Sequence, residues 1–305
     1  MKVIYEGKEI DLNVTSCNIT DNIKTKADTI DITFADINNE CRAWHFKKGH
    51  TIEIVEEGYS TGTMYVDCFG LSNGTYTVRA LSIKKNFKTK HTRTWENVTF
   101  KYLANDLVQS LGLTLETYEI KDFKYKRVDQ IEMNNIEFLK QRCTLEGYIL
   151  KITNNKAVII SSSFLEKQTV ALTLTPKDFI GKHKFECTSN YIYGGCIIRS
   201  NEEDYIEGSY IVDNSIDNLL YINNLPVYSI GEADRFSKNI LKSFNKNEIC
   251  GTFTVIKNTK IAAGSTLNIE ELSLFSGKYI VEELNTSIID GKTKLKVRKI
   301  LEEYK

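Results

Sequence analysis

Residues 134–163, NNIEFLKQRCTLEGYILKITNNKAVIISSS, carry the reading that decides the fold. Asn135 suits a helix N-cap, because its side-chain oxygen can accept an orphan backbone N–H. Glu137 puts a carboxylate in the first turn, where the helix dipole favours negative charge. Ile136, Leu139 and Cys143 recur at helical spacing, and Phe138 and Leu145 widen the stripe. Gly147 supplies the stop, since positive φ is cheap for glycine alone. From Tyr148 the period falls to two, with Tyr148, Leu150 and Ile152 alternating. Asn154-Asn155 can make a tight turn, and Val158 to Ile160 return as a second strand. The expectation is a helix on a β-hairpin, a small module inserted between two β-domains.

On the N-terminal side the sequence is all-β. Val3 and Tyr5, a turn at Glu6-Gly7, then Ile10 and Leu12 predict a first hairpin. Ile30, Ile32 and Phe34 alternate with polar neighbours, Ile52 and Ile54 follow Gly49, and Met64, Val66 and Cys68 alternate again. Asn73-Gly74 is a type I′ hairpin signal, with Tyr76, Val78 and Ala80 on the return strand. Short strands with such turns predict a sandwich or barrel. Residues 84–93, KKNFKTKHTR, read as a solvated linker rather than a nucleic-acid patch. Phe100, Leu103, Ala104, Leu107, Val108 and Leu111 predict an amphipathic helix ended by Gly112, and Trp95 before it reads as a packing residue.

On the C-terminal side β-sequence returns. Val170, Leu172 and Leu174 alternate before Pro176. Strands are expected over 185–198, with Gly194-Gly195 a bulge or turn, and over 205–212. Ala233, Phe236, Ser237, Ile240, Leu241 and Phe244 form a helical stripe, with Glu232 and Asp234 early and Lys242 and Lys246 late. Strands follow at 252–256, 266–269, 278–284 and 292–298, the last two flanking Asp290-Gly291.

The composition is that of an ordinary globular chain: 305 residues, 41% hydrophobic and 26% charged. Forty basic and forty acidic residues cancel, which argues against bulk nucleic-acid binding. Seven cysteines without a Cys-x-x-Cys pair fit a reducing compartment better than a disulfide framework. No signal peptide and no membrane span is expected.

Chemistry is sparse. His183 and Cys187 stand four apart, but in strand-like sequence, where that spacing does not bring them together. Glu202-Glu203-Asp204 lacks the spread of ligands of a calcium loop and reads as a solvated turn. His45, His50, His91 and His183 have no zinc spacing. Gly58, Gly62, Gly70 and Gly74 are spaced as turns, not as a phosphate loop. No catalytic, cofactor-binding or metal-ligating residue is expected.

The order of these patterns resembles the phage late control protein D family, the baseplate or tail hub proteins of contractile tails. These are related in fold to the spike base of type VI secretion systems. The resemblance lies in the Phe-Leu helix, Glu-Gly-Tyr and hairpin, in D-x-I-x-F, F-x-x-G-x-x-I-x-I, G-x-M-x-V-D and Y-x-V-x-A of the first β-region, and in A-G-S-T-L-N-I, F-S-G-K-Y-I-V-E-E-L and D-G-K-T-K-L-K-V near the end. Asn285 stands near where many relatives carry a histidine. The implied fold class is mainly β (α+β), two tube-like β-barrels with an inserted helix and hairpin module. Residues 1–84 would begin the first barrel and 85–163 form the insert. Residues 164–228 would complete the first barrel and lead, as a linker, to the second barrel and its one helix at 229–305.

The implied function is structural, without enzymatic activity. A homotrimer forms a pseudo-sixfold ring that joins a hexameric tail tube to a trimeric spike, in a phage tail or R-type bacteriocin-like particle (a tailocin). Implied partners are the tube and spike proteins, with tape-measure and baseplate wedge proteins beside them. No cofactor, no membrane and no specific nucleic acid is implied. The location is the virion or tail particle, assembled in the host cytoplasm. Because no needle domain precedes Lys305, a separate spike protein is expected. The alternative is a cell-wall glycan-binding or hydrolase module of a tail tip, which needs a cleft lined by paired carboxylates.

Overall fold

The computed structural model describes residues 1–23, 27–56, 58–202, 204–213, 217–302 and 304. Glu203 of the acidic turn and Lys305 lie outside the described residues. The fold is mainly β with few helices, as expected.

The first strands are β1 (Lys2–Tyr5), β2 (Lys8–Ile10), β3 (Val14–Asn22), β4 (Thr29–Ala35), β5 (Thr51–Glu56), β6 (Tyr59–Ser60), β7 (Met64–Ser72) and β8 (Thr75–Leu81). Alternation sets their faces: Ile30, Ile32 and Phe34 are buried while Asp31 between them is exposed. Val3, Ile10, Ile19, Ile32, Ile54, Met64 and Val78 meet in one core, so the sheet wraps around it as a barrel does. The expected turns form, with positive φ at Glu6 and Gly7 and at Asn73 and Gly74. One alternation breaks. A bulge between Val66 and Cys68 shifts the register against β8, and Cys68 is exposed rather than inward.

The central module comprises β9 (Lys90–Thr99), α1 (Phe100–Gln109), β10 (Thr114–Tyr118), β11 (Lys124–Asn134), α2 (Asn135–Leu145), β12 (Tyr148–Thr153), β13 (Lys156–Ser161) and α3 (Ser162–Lys167). Helix and hairpin form as the sequence predicts, with Gly147 at φ 74° and Asn154 and Asn155 both at positive φ. The cap of α2 is Asn134, not Asn135: its side-chain oxygen accepts the Glu137 N–H at 2.9 Å. Asn135 is buried instead, and its amide donates to Ser110 Oγ at 2.7 Å. The basic stretch is not all linker either. Lys90 to Arg93 belong to β9, which pairs with β11. The hairpin also gains a third strand, β10, parallel to β13.

The remaining elements are β14 (Leu172–Leu174), β15 (Lys184–Cys187), β16 (Gly195–Ser200), β17 (Ile206–Ile211), β18 (Leu219–Asn223), α4 (Ile230–Asn245), β19 (Ile249–Ile256), β20 (Thr266–Ile269), β21 (Gly277–Ser287) and β22 (Lys292–Lys299). The expectation that residues 164–228 complete the first barrel fails. β14 pairs with β20 and β15 with β19, around a second core of Leu174, Phe253, Leu267, Tyr279 and Leu295. β16, β17 and β18 form a sheet of their own. Their apolar face is covered by α4, whose Ala233, Phe236 and Leu241 share one core with Cys196, Ile198 and the central module. A Cβ on Gly208 of β17 would come within 2.4 Å of the Ala233 Cβ, so glycine permits this close seating. The helix expected in the second barrel therefore belongs to the module. Alternation fixes a strand's faces but not its neighbour, and coverage by α4 decided the neighbour here.

Candidate assembly surface

The second barrel repeats a pair of backbone hydrogen bonds found in the first. In the first, the Gly49 N–H donates to the Val66 carbonyl at 2.7 Å, and the Val66 N–H donates to the His50 carbonyl at 2.9 Å. In the second, the Gly264 N–H donates to the Val281 carbonyl at 2.8 Å, and the Val281 N–H donates to the Ser265 carbonyl at 2.9 Å. Both glycines have positive φ, 84° and 97°. Both valines precede a bulge, with register shifts between Val66 and Cys68 and between Val281 and Glu283. The strand order β3-β4-β8-β7-β5 is matched by β15-β19-β22-β21-β20. GHTIEI at 49–54 and GSTLNI at 264–269 are the two copies of one strand entry.

The two barrels share a continuous sheet. After its bulge, β21 stays paired with β22, and its other edge passes from β20 to β3, pairing antiparallel from Glu283 opposite Asn22 to Ser287 opposite Asn18. Asn285 donates to Thr20 Oγ1 at 2.8 Å across this junction. Lys257 of the second barrel pairs with Glu56 of the first at 2.7 Å.

The module is pinned to both barrels by buried charge. Lys151 of β12 pairs with Asp21 and lies 3.4 Å from Asp28, both of the first barrel. Asp21 also accepts the Ala263 N–H of the second barrel at 2.9 Å, so this carboxylate touches all three units. Burial pushes the Asp28 carboxyl up to about 6, against the pull of Lys151. A cavity of about 90 Å³ lies beside the cluster, lined by Asp28, Ile83, Lys140 and Leu150 among others. At the other seam, Glu166 of α3 meets Lys242 of α4 at 2.5 Å and Arg298 of β22 at 3.0 Å.

The residues weighed for chemistry are scattered. His183 sits edge-on to Phe179, and Cys187 lies exposed on β15. Glu202 and Asp204 are exposed. Trp95 stacks on Phe138 and donates to Asp106 at 3.0 Å, a packing role. Burial pushes the thiols of Cys17, Cys41 and Cys196 up to about 12, which holds them as inert thiols. Among the described residues, no group of three or more His, Cys, Asp or Glu side chains is placed to hold a metal ion. No described helix is long and apolar enough to cross a membrane. The charged clusters escaped sequence reading, because Asp21, Asp28 and Lys151, or Glu166, Lys242 and Arg298, are brought together only by the tertiary fold.

No protein-family model and no curated protein matches the chain. Solved structures do. The 43 kDa tail protein of prophage MuSo2 from Shewanella oneidensis matches at a TM-score of 0.78 and 15% identity, over 98% of this chain and 97% of that one. The tail protein from Neisseria meningitidis MC58 matches at 0.75 and 14% identity, over 98% and 95%. A type VI secretion component from E. coli, described as structurally similar to T4 bacteriophage tail proteins gp27 and gp5, matches at 0.64 and 10% identity, over 100% and 78%. At these identities the likeness is one of fold, a fold this chain shares with phage tail proteins and a type VI secretion component.

Proposed function

We propose that this chain is a structural tail hub subunit. Three copies form a ring of six similar barrels, which seats a sixfold tail tube on one face and a threefold spike on the other. The observation that carries this reading is the duplication of the Gly49–Val66 arrangement as Gly264–Val281. A chain with two like barrels lets a threefold assembly present a sixfold surface. A repeated head-to-tail contact closes into a ring only if each step's rotation divides the circle. The whole-chain likeness in fold to tail proteins supports the same reading.

The role is then geometric: symmetry matching and transmission of load, with no turnover. The particle is a contractile tail or a bacteriocin-like relative, with the subunit in its baseplate. The module faces outward, towards wedge proteins, and a tape-measure protein meets the lumen. The test is the solution mass of the purified protein, alone and mixed with the neighbouring spike protein. A three-chain mass, or a complex of three hub and three spike chains, is expected. A folded protein that is monomeric in both samples, or that clears peptidoglycan, sinks the reading.

A further inference from the structure

The junction inside one chain has an unused counterpart. In it, the half of β21 after the bulge takes the outer edge of β3. The matching half of β7 runs from Cys68 to Ser72. Among the described residues no strand pairs with it on the side away from β8, because β5 reaches only to Tyr65. Every residue from Asp67 to Ser72 is exposed. Phe69 and Leu71 stand opposite Val78 and Tyr76, so the bulge has turned them onto the core-side face. They lie beyond the core, 39% and 52% exposed.

The second barrel's counterpart of β3 is β15. Phe185 stands opposite Gly251 as Ile19 stands opposite Ile30. β15 ends the sheet, and Lys184, Glu186 and Cys187 are exposed. Six strands (β19, β22, β21, β3, β4 and β8) separate β15 from β7 in the sheet, so the two open edges stand apart within one chain.

We infer that the edge of β7 from Cys68 to Ser72 pairs antiparallel with the outer edge of β15 in a second copy of this chain, in the register of the internal junction. That register places Ser72 opposite Lys184, Leu71 opposite Phe185, Gly70 opposite Glu186, Phe69 opposite Cys187 and Cys68 opposite Thr188. The chemistry fits. Phe69 and Leu71 come onto the same face as Cys187 and the half-buried Phe185, removing apolar surface from water. Both open edges gain backbone partners, which removes an aggregation hazard. The contact is head-to-tail, each copy giving one β7 and one β15. Repeating it alternates first and second barrels around a ring, with the same contact within chains as between them. The ring size of three rests on the hub reading above; the pairing itself rests on the internal junction.

Disulfide trapping in the full-length protein tests this. Directly opposed residues of an antiparallel pair lie about 4.5–5.5 Å apart at Cα, within the span of a disulfide. Phe69→Cys in a Cys68→Ser background faces the native Cys187. Thr188→Cys faces the native Cys68 and probes the same register independently, should the first variant fold poorly. Oxidised with copper phenanthroline, each is expected to give species of two and three linked chains on a non-reducing gel, ending at three. In the wild type, Cys68 and Cys187 fall on opposite faces of the pair and stay unlinked; efficient linking there overturns the register. A trimeric mass with neither engineered pair linking overturns the pairing and leaves the hub reading standing. Linking that ends at two chains overturns the head-to-tail geometry. A folded protein that stays monomeric and unlinked at the highest concentration reached overturns both.

Discussion

Arg235 holds Glu146 through two hydrogen bonds, from Nε to Oε2 at 2.7 Å and from Nη2 to Oε1 at 3.1 Å. Glu146 is the C-cap of α2 and its side chain is fully buried; Arg235 stands on α4. The Tyr125 hydroxyl donates to the same carboxylate at 2.6 Å, and the guanidinium lies 3.9 Å from the centre of the Phe123 ring. The pair therefore fixes how the late helix docks on the early one. Its two members are 89 residues apart in the chain.

Removing the arginine strands a buried charge. Arg235→Met is expected to lower unfolding free energy by about 3–5 kcal/mol, the usual cost of breaking such a pair. Adding Glu146→Gln removes the stranded charge and should return part of that loss. Urea denaturation of the two single variants and the double variant measures both. A loss below about 1 kcal/mol for the single variant would show that the site is effectively solvated.

Asp28 gives a pH dependence with a definite sign. Burial raises its carboxyl from the ordinary 3.8 to about 6; Lys151 lowers it, and Asp21 raises it further. A folded-state value above the unfolded one means that the native state holds the proton more tightly. The stabilisation from that proton is fully present below the unfolded value and is lost as pH rises through about 6. Asp28→Asn keeps an oxygen to accept the Asn22 N–H, now 3.0 Å from Asp28 Oδ1, and cannot titrate. The stability of the wild type minus that of the variant should thus fall between about pH 4 and 7, by up to ~3 kcal/mol, and level off above. Denaturation curves at several pH values give this difference, in which carboxylates common to both proteins cancel. A difference that rises with pH contradicts the assignment.

The duplication predicts matched costs. A Cβ on Gly49 would meet nothing within 4 Å, and one on Gly264 only ordinary contacts at 3.8 Å and beyond. Backbone strain at φ 84° and 97° is then the main penalty at both. Gly49→Ala and Gly264→Ala should each cost about 1–3 kcal/mol and agree within about 1 kcal/mol. Thermal or urea unfolding of the two variants decides this. One harmless substitution beside one damaging one would show that the two positions are not equivalent.

What was legible in the sequence followed from local physics. The turn from period 3.6 to period 2 at Gly147 marks α2 and its hairpin, and Glu6-Gly7 and Asn73-Gly74 mark their turns. Adjacent asparagines blurred the cap by one residue, since both can accept an amide and only the backbone of Asn134 is extended. β10 and β11 were missed because 113–134 has no clean alternation and β11 finds its partner in β9, across α1 and β10. β16 and β17 were visible as strands but assigned to the wrong sheet, since nothing in Cys196 or Ile198 says which neighbour will cover it. The bulge after Val66 was invisible as well. It sits inside a run that alternates well, and it alone turns Phe69 and Leu71 rather than Cys68 onto the core-side face.

The Glu166 cluster couples the module to the second barrel, and its loss should be felt on one side only. Glu166 accepts from Lys242 and from Arg298, which is 3% exposed and lies 3.5 Å from Glu282. Lys278 donates to the carbonyls of Glu166 and Gln168, both at 2.8 Å, tying the same turn to β21. Burial pulls the Lys242 ammonium below the ordinary lysine value, and the Glu166 carboxylate offsets part of that. Glu166→Gln leaves two buried cations with one fewer counter-charge, and should cost about 3–5 kcal/mol. The damage should be local first. Amide hydrogen exchange is expected to accelerate along α3 and at β22 near Arg298, while Ile52 and Ile54 in the first barrel keep their protection. Equal acceleration in both barrels would mean that the chain unfolds as one cooperative unit, and that the shared β21–β3 junction, not the charged seam, sets its stability.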